Sequence, residues 1–427
     1  MGEPMLPPRA WTWYNPAMRR LLHDLHPEFL ASEVRRIAQK WWRRARRIDR
    51  RVATLEPTGD HRGDALLSYI IDPFLVTDDD AVDHSHTHFW ETLTLGRALQ
   101  GAGYRVDAIA WTNHSFVPSK PYDLFLDVRM NLERLAPLLP DAVKVLHADT
   151  AHFTFHNPAQ DARLADLNTR RGVDVRPQKY LPENRAAEHA DLISVLGNRF
   201  TQGTYAFAGK PMVHLPVSVP FTYPWPEGKD FDAVRRHFLW FGSGGLVHKG
   251  LDLVLEAFAG LPDFHLTVCG PIRRERDFER LYFRELYETP NIHTHGWIDV
   301  AGQDFLALTR SCLGLVYPSC SEGGGSSALT CMHAGLIPMV QWETSVDLTP
   351  ERGVLFEDVS VDGIRRAVVE LSERPANELE AMARASWGFV RSRHTQEHFA
   401  ANARRFAEHL ADGTWRDWPV SDVAHGL

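Results

Sequence analysis

The stretch Tyr317–Gln341, YPSCSEGGGSSALTCMHAGLIPMVQ, constrains the fold more than any other part of the chain. The apolar run Leu313–Tyr317 has the composition of a strand, and Pro318 ends it. Three glycines follow, Gly323, Gly324 and Gly325. Ser326 or Ser327 is then suited to cap a helix, Gly335 to stop it, and a second apolar run resumes. The glycines let the backbone approach a ligand with no Cβ in the way. A glycine loop feeding a helix N-terminus presents unpaired N–H groups and the positive end of the helix dipole, which suits an anion. Glu322 stands at the rim of that site. A carboxylate there would repel a phosphate, so it reads as a partner for sugar hydroxyls beside the phosphates. The alternative is an ordinary tight strand–helix turn.

A chain of 427 residues predicts two core-sized domains plus additions. The net charge of -8 argues against a general nucleic-acid binder. Cys269, Cys312, Cys320 and Cys331 form no C-x-x-C pair and read as reduced, mostly buried thiols. With no long apolar run and no signal-peptide pattern, a cytoplasmic protein is expected.

Residues 1–60 read as an N-terminal helical extension. Val34, Ile37, Trp41, Ala45, Ile48, Val52 and Leu55 recur at helical spacing, which predicts an amphipathic helix over 33–56. Its other face is rich in arginine. That face fits either peripheral contact with an anionic membrane or simple solvation.

Residues 61–220 carry strand-like runs at Ala65–Ile71, Arg105–Ala110, Tyr122–Asp127, Val143–Ala148 and Leu192–Leu196. Helical stretches alternate with them, including Phe89–Gln100, Asp161–Arg171 and Glu183–Ala190. That alternation predicts a parallel, doubly wound sheet, whose ligands bind beyond the carboxyl ends of the strands. His147 lies at one such end. His84, His86 and His88 alternate and would share one face of a strand, which leaves a metal site as a second reading.

Prolines 216, 220, 224 and 226 mark a linker. A second alternating series occupies 221–395 and opens with Phe238–Phe241 and the glycine loop Gly242-Ser243-Gly244-Gly245. His248 and Lys249 follow that loop. Lys249, near a helix start, can neutralise a diphosphate. Two glycine loops in one α/β domain suggest closure on one phosphorylated ligand. A last amphipathic helix begins the segment 396–427.

Phe241–Phe258, FGSGGLVHKGLDLVLEAF, and Pro318–Val340 together resemble the donor domain of family-4 glycosyltransferases. That family carries P-S-x-x-E-G-x-G, a helix, and then a glycine, a proline and a valine; here these are Gly335, Pro338 and Val340. The resemblance covers about 237–345 well, 65–220 less well, and the first 60 residues not at all. It implies the GT-B architecture: two facing Rossmann-like, doubly wound domains, with the last helix crossing back to the first. It further implies retaining transfer from a nucleotide sugar to a glycan or lipid-linked acceptor, with no metal in the chemical step and no other cofactor. By the same resemblance Lys249 grips the diphosphate and Glu322 holds the sugar. The amides of Gly323–Ser327 cradle phosphate, and His147 stands near the transferred sugar. Three features depart from the pattern: the glycine pair usual in the first domain's opening loop is absent, with His84–His88 in that region, and two positions differ. Gly244 replaces an arginine that clamps the diphosphate, so binding must lean on Lys249 and backbone amides, or on Ser243 and His248. Thr330 replaces a glutamate that holds the ribose. These departures motivate a scaffold on a transferase fold as the first rival, and the three histidines motivate a metal-dependent hydrolase as the second.

Overall fold

The computed structural model describes residues 45–76 and 87–417, with positions 34, 37, 38, 41 and 43. The chain divides into two compact units, 1–51 and 52–427. In the first unit the described positions from Val34 to Ala45 are helical. Arg47 then takes a left-handed φ of 51°, and Ile48–Arg50 forms a single 3-10 turn.

The second unit holds two sheets. The first is built from β1 (Val52–Leu55), β2 (Gly63–Tyr69), β3 (Tyr104–Ala110), β4 (Leu124–Asp127), β5 (Val143–Ala148), β6 (Leu192–Val195) and β7 (Met212–His214). Its order is β1-β3-β2-β4-β5-β6-β7. All neighbours pair in parallel except β1, which runs antiparallel to β3. The helix expected over 33–56 therefore does not reach 56. Val52 and Thr54 are β-branched and fit an extended edge, and the Thr54 hydroxyl donates to Asp107 Oδ1 at 2.6 Å.

The second sheet contains β8 (His237–Phe241), β9 (His265–Cys269), β10 (Ile292–Gly296), β11 (Gly314–Tyr317), β12 (Ile337–Val340) and β13 (Val354–Leu355). Its order is β10-β9-β8-β11-β12-β13, parallel throughout. Central strands are apolar on both faces because helices cover both sides; every residue of β4, β11 and β12 is buried. All four cysteines are free and buried in this lobe.

Six helices matter for the site: α1 (Thr87–Gly101), α2 (Phe153–Arg171), α3 (Leu251–Ala259), α4 (Ser326–His333), α5 (Ala376–Arg393) and α6 (Gln396–Ala411). α2 begins at Phe153, earlier than the expected Asp161, and runs through Pro158. The expected helix over 183–190 shrinks to Ala186–His189. Just before it, the side-chain amide of Asn157 brackets Leu181, donating to its carbonyl and accepting from its N–H, both at 2.9 Å. His84 and His86 lie outside the described residues. His88 lies in the first turn of α1 and not on a strand. Among the described residues no group of three or more His, Cys, Asp or Glu is arranged to hold a metal.

The chain crosses between lobes twice, and the crossings are bonded to each other. Val219 N–H donates to the His394 carbonyl at 2.7 Å, and His394 Nδ1 lies 2.8 Å from the Val217 carbonyl. After this second crossing α6 packs on α1, with Trp90 and Phe399 edge to face at 5.9 Å. Among the described residues no helix is long and apolar enough to cross a membrane.

Candidate functional site

The carboxyl ends of both sheets point into one cleft, as parallel sheets require of a ligand site. From β8 the chain enters the first glycine loop. Gly245 has a φ of 87° and Gly250 a φ of 71°. A Cβ on Gly250 would lie 2.7 Å from the Pro318 carbonyl oxygen, so only glycine lets the first loop pass under the second. The carboxylate of Glu275 accepts from the N–H groups of Gly245 and Leu246, the latter at 3.1 Å, and so fixes the loop tip. Ser243 and Gly244 are exposed at that tip.

Lys249 leaves this loop pointing inward and is 3% exposed. Its ammonium donates to Tyr317 Oη at 2.6 Å and to Glu322 Oε1 at 2.5 Å. Glu322 Oε1 also accepts from Tyr317 Oη at 2.9 Å and Ser319 Oγ at 2.8 Å. Burial opposes ionisation of Glu322, but the ammonium groups of Lys179 and Lys249 outweigh it and hold the carboxyl well below its ordinary range. The two side chains that the sequence assigned to one site are thus in direct contact, 73 residues apart in the chain.

Gly323, Gly324 and Gly325 follow. Gly325, at a φ of 59°, is the N-cap of α4, so neither Ser326 nor Ser327 caps it. The reason is space: a Cβ at position 325 would lie 2.5 Å from Val346 Cγ2 and 2.7 Å from the Thr344 carbonyl oxygen. Ser326 and Ser327 instead stand half-buried on the first turn, where helix N–H groups have no intrahelical partner. Thr330 is buried one turn later and donates its hydroxyl to the Ser326 carbonyl at 2.8 Å. His248 is not aimed at a diphosphate. Its Nε2 lies 2.6 Å from the Ser321 carbonyl and must donate to it, while Nδ1 faces Cys320 Sγ at 3.4 Å. It pins the two glycine loops together, and burial pushes its pKa well below the ordinary value.

The first lobe supplies the opposite wall. His147, at the end of β5, is fully buried, with Nδ1 2.8 Å from Ser194 Oγ. Burial pushes its pKa down to about 4, so the ring is neutral at pH 7. Its ring lies 5.6 Å from that of Tyr69, at the end of β2. His88 bridges Glu91 and Asp149, each at 3.9 Å, and Arg129 pairs with Asp149 at 3.1 Å. Tyr69 Oη, Glu91 Oε2 and His147 Nε2 are buried without a hydrogen-bond partner among the described residues. Tyr69, Glu91, Arg129 and Asp149 escaped the sequence reading. Asp149, two residues beyond His147 at the same strand end, carried the only local signal.

Glu91 also reaches the first crossing, accepting from Ser218 N–H at 2.7 Å and Ser218 Oγ at 3.0 Å. Its carboxyl is pushed up to about 7, first by burial and to a lesser degree by Asp149, against the two bonds from Ser218. The folded value is above the ordinary one. Its contribution to stability is therefore complete below about pH 4.5 and lost as pH rises through about 7. Glu91→Gln is expected to lose less stability than the parent between about pH 5 and about pH 8. Parallel melting profiles for the two proteins would refute this.

Beside the first glycine loop a cavity of about 220 Å³ opens between the lobes. Gln160, Arg176, His248, Arg274 and Glu275 are among its lining residues. Gln160 is 2% exposed, and neither end of its amide has a partner among the described residues.

No protein-family model matches the sequence, and no curated protein matches it. Solved structures do match the fold. Sucrose-phosphate synthase from Thermosynechococcus elongatus superposes with a TM-score of 0.58 at 14% identity, over 84% of this chain and 100% of that one. A glycosyltransferase from Rickettsia africae gives 0.54 at 10% identity, over 81% and 98%. Anabaena HepE, in complex with UDP and glucose, gives 0.52 at 11% identity, over 81% and 98%. The two Rossmann-like parallel sheets are those of the GT-B fold, and these structural neighbours are glycosyltransferases of that type.

Proposed function

We propose that the chain is a retaining glycosyltransferase that moves a sugar from a nucleoside-diphosphate sugar to a hydroxyl of a glycan or lipid-linked acceptor. The observation that carries this reading is the contact of Lys249 with Glu322 at the mouth of α4, beneath an open helix N-terminus. A cation and unpaired N–H groups side by side support a role in taking up the charge that a leaving diphosphate gathers. Glu322 keeps its second oxygen for sugar hydroxyls. The cavity beside the first loop gives room for the nucleoside.

In the reaction the bond between the anomeric carbon and the β-phosphate oxygen breaks, and its electron pair stays on the phosphate. The acceptor oxygen bonds to the anomeric carbon, and its proton passes to the departing phosphate oxygen on the same face. The products are the glycosylated acceptor and a nucleoside diphosphate. His147, neutral and buried against Tyr69, can bond a hydroxyl of the sugar in transit.

Thermal unfolding against UDP, GDP, ADP and their sugars tests the reading. One base is expected to raise the melting temperature by a few degrees, since a ligand at 100 times its dissociation constant adds about 2.7 kcal/mol. The shift is expected to survive a chelator. A flat response to every nucleotide would favour a non-catalytic scaffold, and a shift abolished by chelator would overturn metal independence.

A further inference from the structure

We infer that Lys179, carried by the first lobe, supplies the second diphosphate-binding cation that the first glycine loop lacks. The inference rests on the transferase reading and deepens it. The loop has Gly244 where the resemblance calls for an arginine, and Lys249 is already engaged by Glu322 and Tyr317. Lys179 lies on the irregular segment after α2. Its stem crosses the tip of the loop: a Cβ on Gly245 would stand 3.0 Å from Lys179 Cδ and 3.4 Å from its Cβ. The missing side chain on one lobe is thus matched by a long one arriving from the other.

The ammonium of Lys179 ends 3.8 Å from Glu322 Oε2, while Lys249 holds Oε1 at 2.5 Å. At 3.8 Å it makes no hydrogen bond to the carboxylate, so its donors are not committed there. Lys179 and Lys249 both stand at the Glu322 carboxylate, and Glu275, held by the Gly245 and Leu246 N–H groups, is the next acidic group in reach of their charge. The donors that Lys179 leaves uncommitted suit an anion. The backbone of Lys179 is fixed for the purpose. His156 Nε2 donates to the Lys179 carbonyl at 2.8 Å, and His156 Nδ1 lies 3.2 Å from Ser321 Oγ on the second loop. His156 is fully buried and its ring sits 4.6 Å from that of His248.

Charged and titratable groups around the ammonium are Glu322 and Lys249 in the second lobe, with Arg129 in the first. His248 and Glu275 also feel its charge. Desolvation, opposed by Glu322 and aided by Lys249, brings the pKa of Lys179 down to about 8, with 35% of the side chain still exposed. Diphosphate binding is therefore complete below that value and weakens as pH rises through it. An arginine at the position stays charged and removes the alkaline loss.

Calorimetric titration of UDP, GDP, ADP and inorganic pyrophosphate into the full chain, at about pH 7 and about pH 9, tests this. Lys179→Gln is expected to weaken binding roughly 10- to 100-fold at about pH 7, the worth of one charge-assisted bond. Lys179→Arg is expected to restore binding and to hold it at about pH 9, where the parent weakens. Equal binding by Lys179→Gln and the parent overturns the role of Lys179 and leaves the transferase reading standing. Failure of every diphosphate to bind the parent removes both. If Lys179→Gln does not fold, the parent against Lys179→Arg at the two pH values decides, and identical pH dependence counts against the inference.

Discussion

Lys249→Ala is expected to cut turnover several-hundred-fold and to lower stability at the same time. The kinetic loss follows from position. The ammonium is the only side-chain charge that the first glycine loop directs at Glu322 and α4, and removing one such stabilising contact costs about 3–4 kcal/mol in the transition state. The stability loss follows from burial. Lys249 Nζ and Glu322 Oε1 form a pair whose side chains are 4% and 14% exposed. Deleting one member leaves a buried carboxylate held by Tyr317, Ser319 and the more distant Lys179, a change that typically costs about 3–5 kcal/mol. The two effects separate in a double variant. Lys249→Met with Glu322→Gln is expected to recover most of the melting temperature and none of the activity. Full turnover by Lys249→Ala would sink the assignment of this loop to the donor diphosphate.

Gly323→Ala carries the second large effect. A Cβ there would lie 2.2 Å from the Asp149 carbonyl oxygen and 2.4 Å from Thr150 Cα. Both obstacles are backbone of the opposite lobe, so no rotamer change relieves them. Either the second glycine loop shifts or the lobes part. A shift of about 1 Å between reacting groups is enough for a 100-fold loss of rate, and the overpacking costs about 1–3 kcal/mol. Gly244→Ala is the matched control. Its Cβ would meet only Glu275 Oε1, at 3.5 Å, which is ordinary contact. Comparable kcat/KM for the two variants would show that the lobe contact at Gly323 has no part in the reaction.

Both sheets were legible in the sequence because their central strands are apolar runs that end at glycine or a polar residue. That Lys249 and Glu322 belong to one site was legible for a related reason: Lys249 follows one glycine loop and Glu322 precedes the other, at the carboxyl ends of neighbouring strands. The helix over 33–56 was overextended because Val52 and Leu55 satisfy helical spacing, whereas the edge of β3 was available to pair with them. The cap of α4 was misassigned because serine is the better cap in isolation, and Val346 and Thr344 leave room only for a left-handed glycine. His248 was assigned to the donor from its place in the loop, yet Ser321 and Cys320 take both its nitrogens. Lys179 had no local signal. It lies in a segment without periodicity, and its role exists only once the second lobe is in place. Glu91 likewise reads as one polar position of a helix until Ser218 arrives from the linker.

The placement of α6 against α1 has a consequence for how the chain is made. α1 belongs to the opening part of the first lobe, after β1 and β2, yet a surface that covers it comes from residues 396–411. During synthesis the first lobe emerges early and waits with that face, Trp90 included, unclosed until residues 396–411 have followed the second lobe out. The second lobe has no such wait, since its sheet and α5 are complete before α6 appears. The lobe that begins first therefore finishes last, and its closing step also brings His394 to the linker. Completion of the first lobe is then set by the emergence of α6, which follows the whole of the second lobe's sheet.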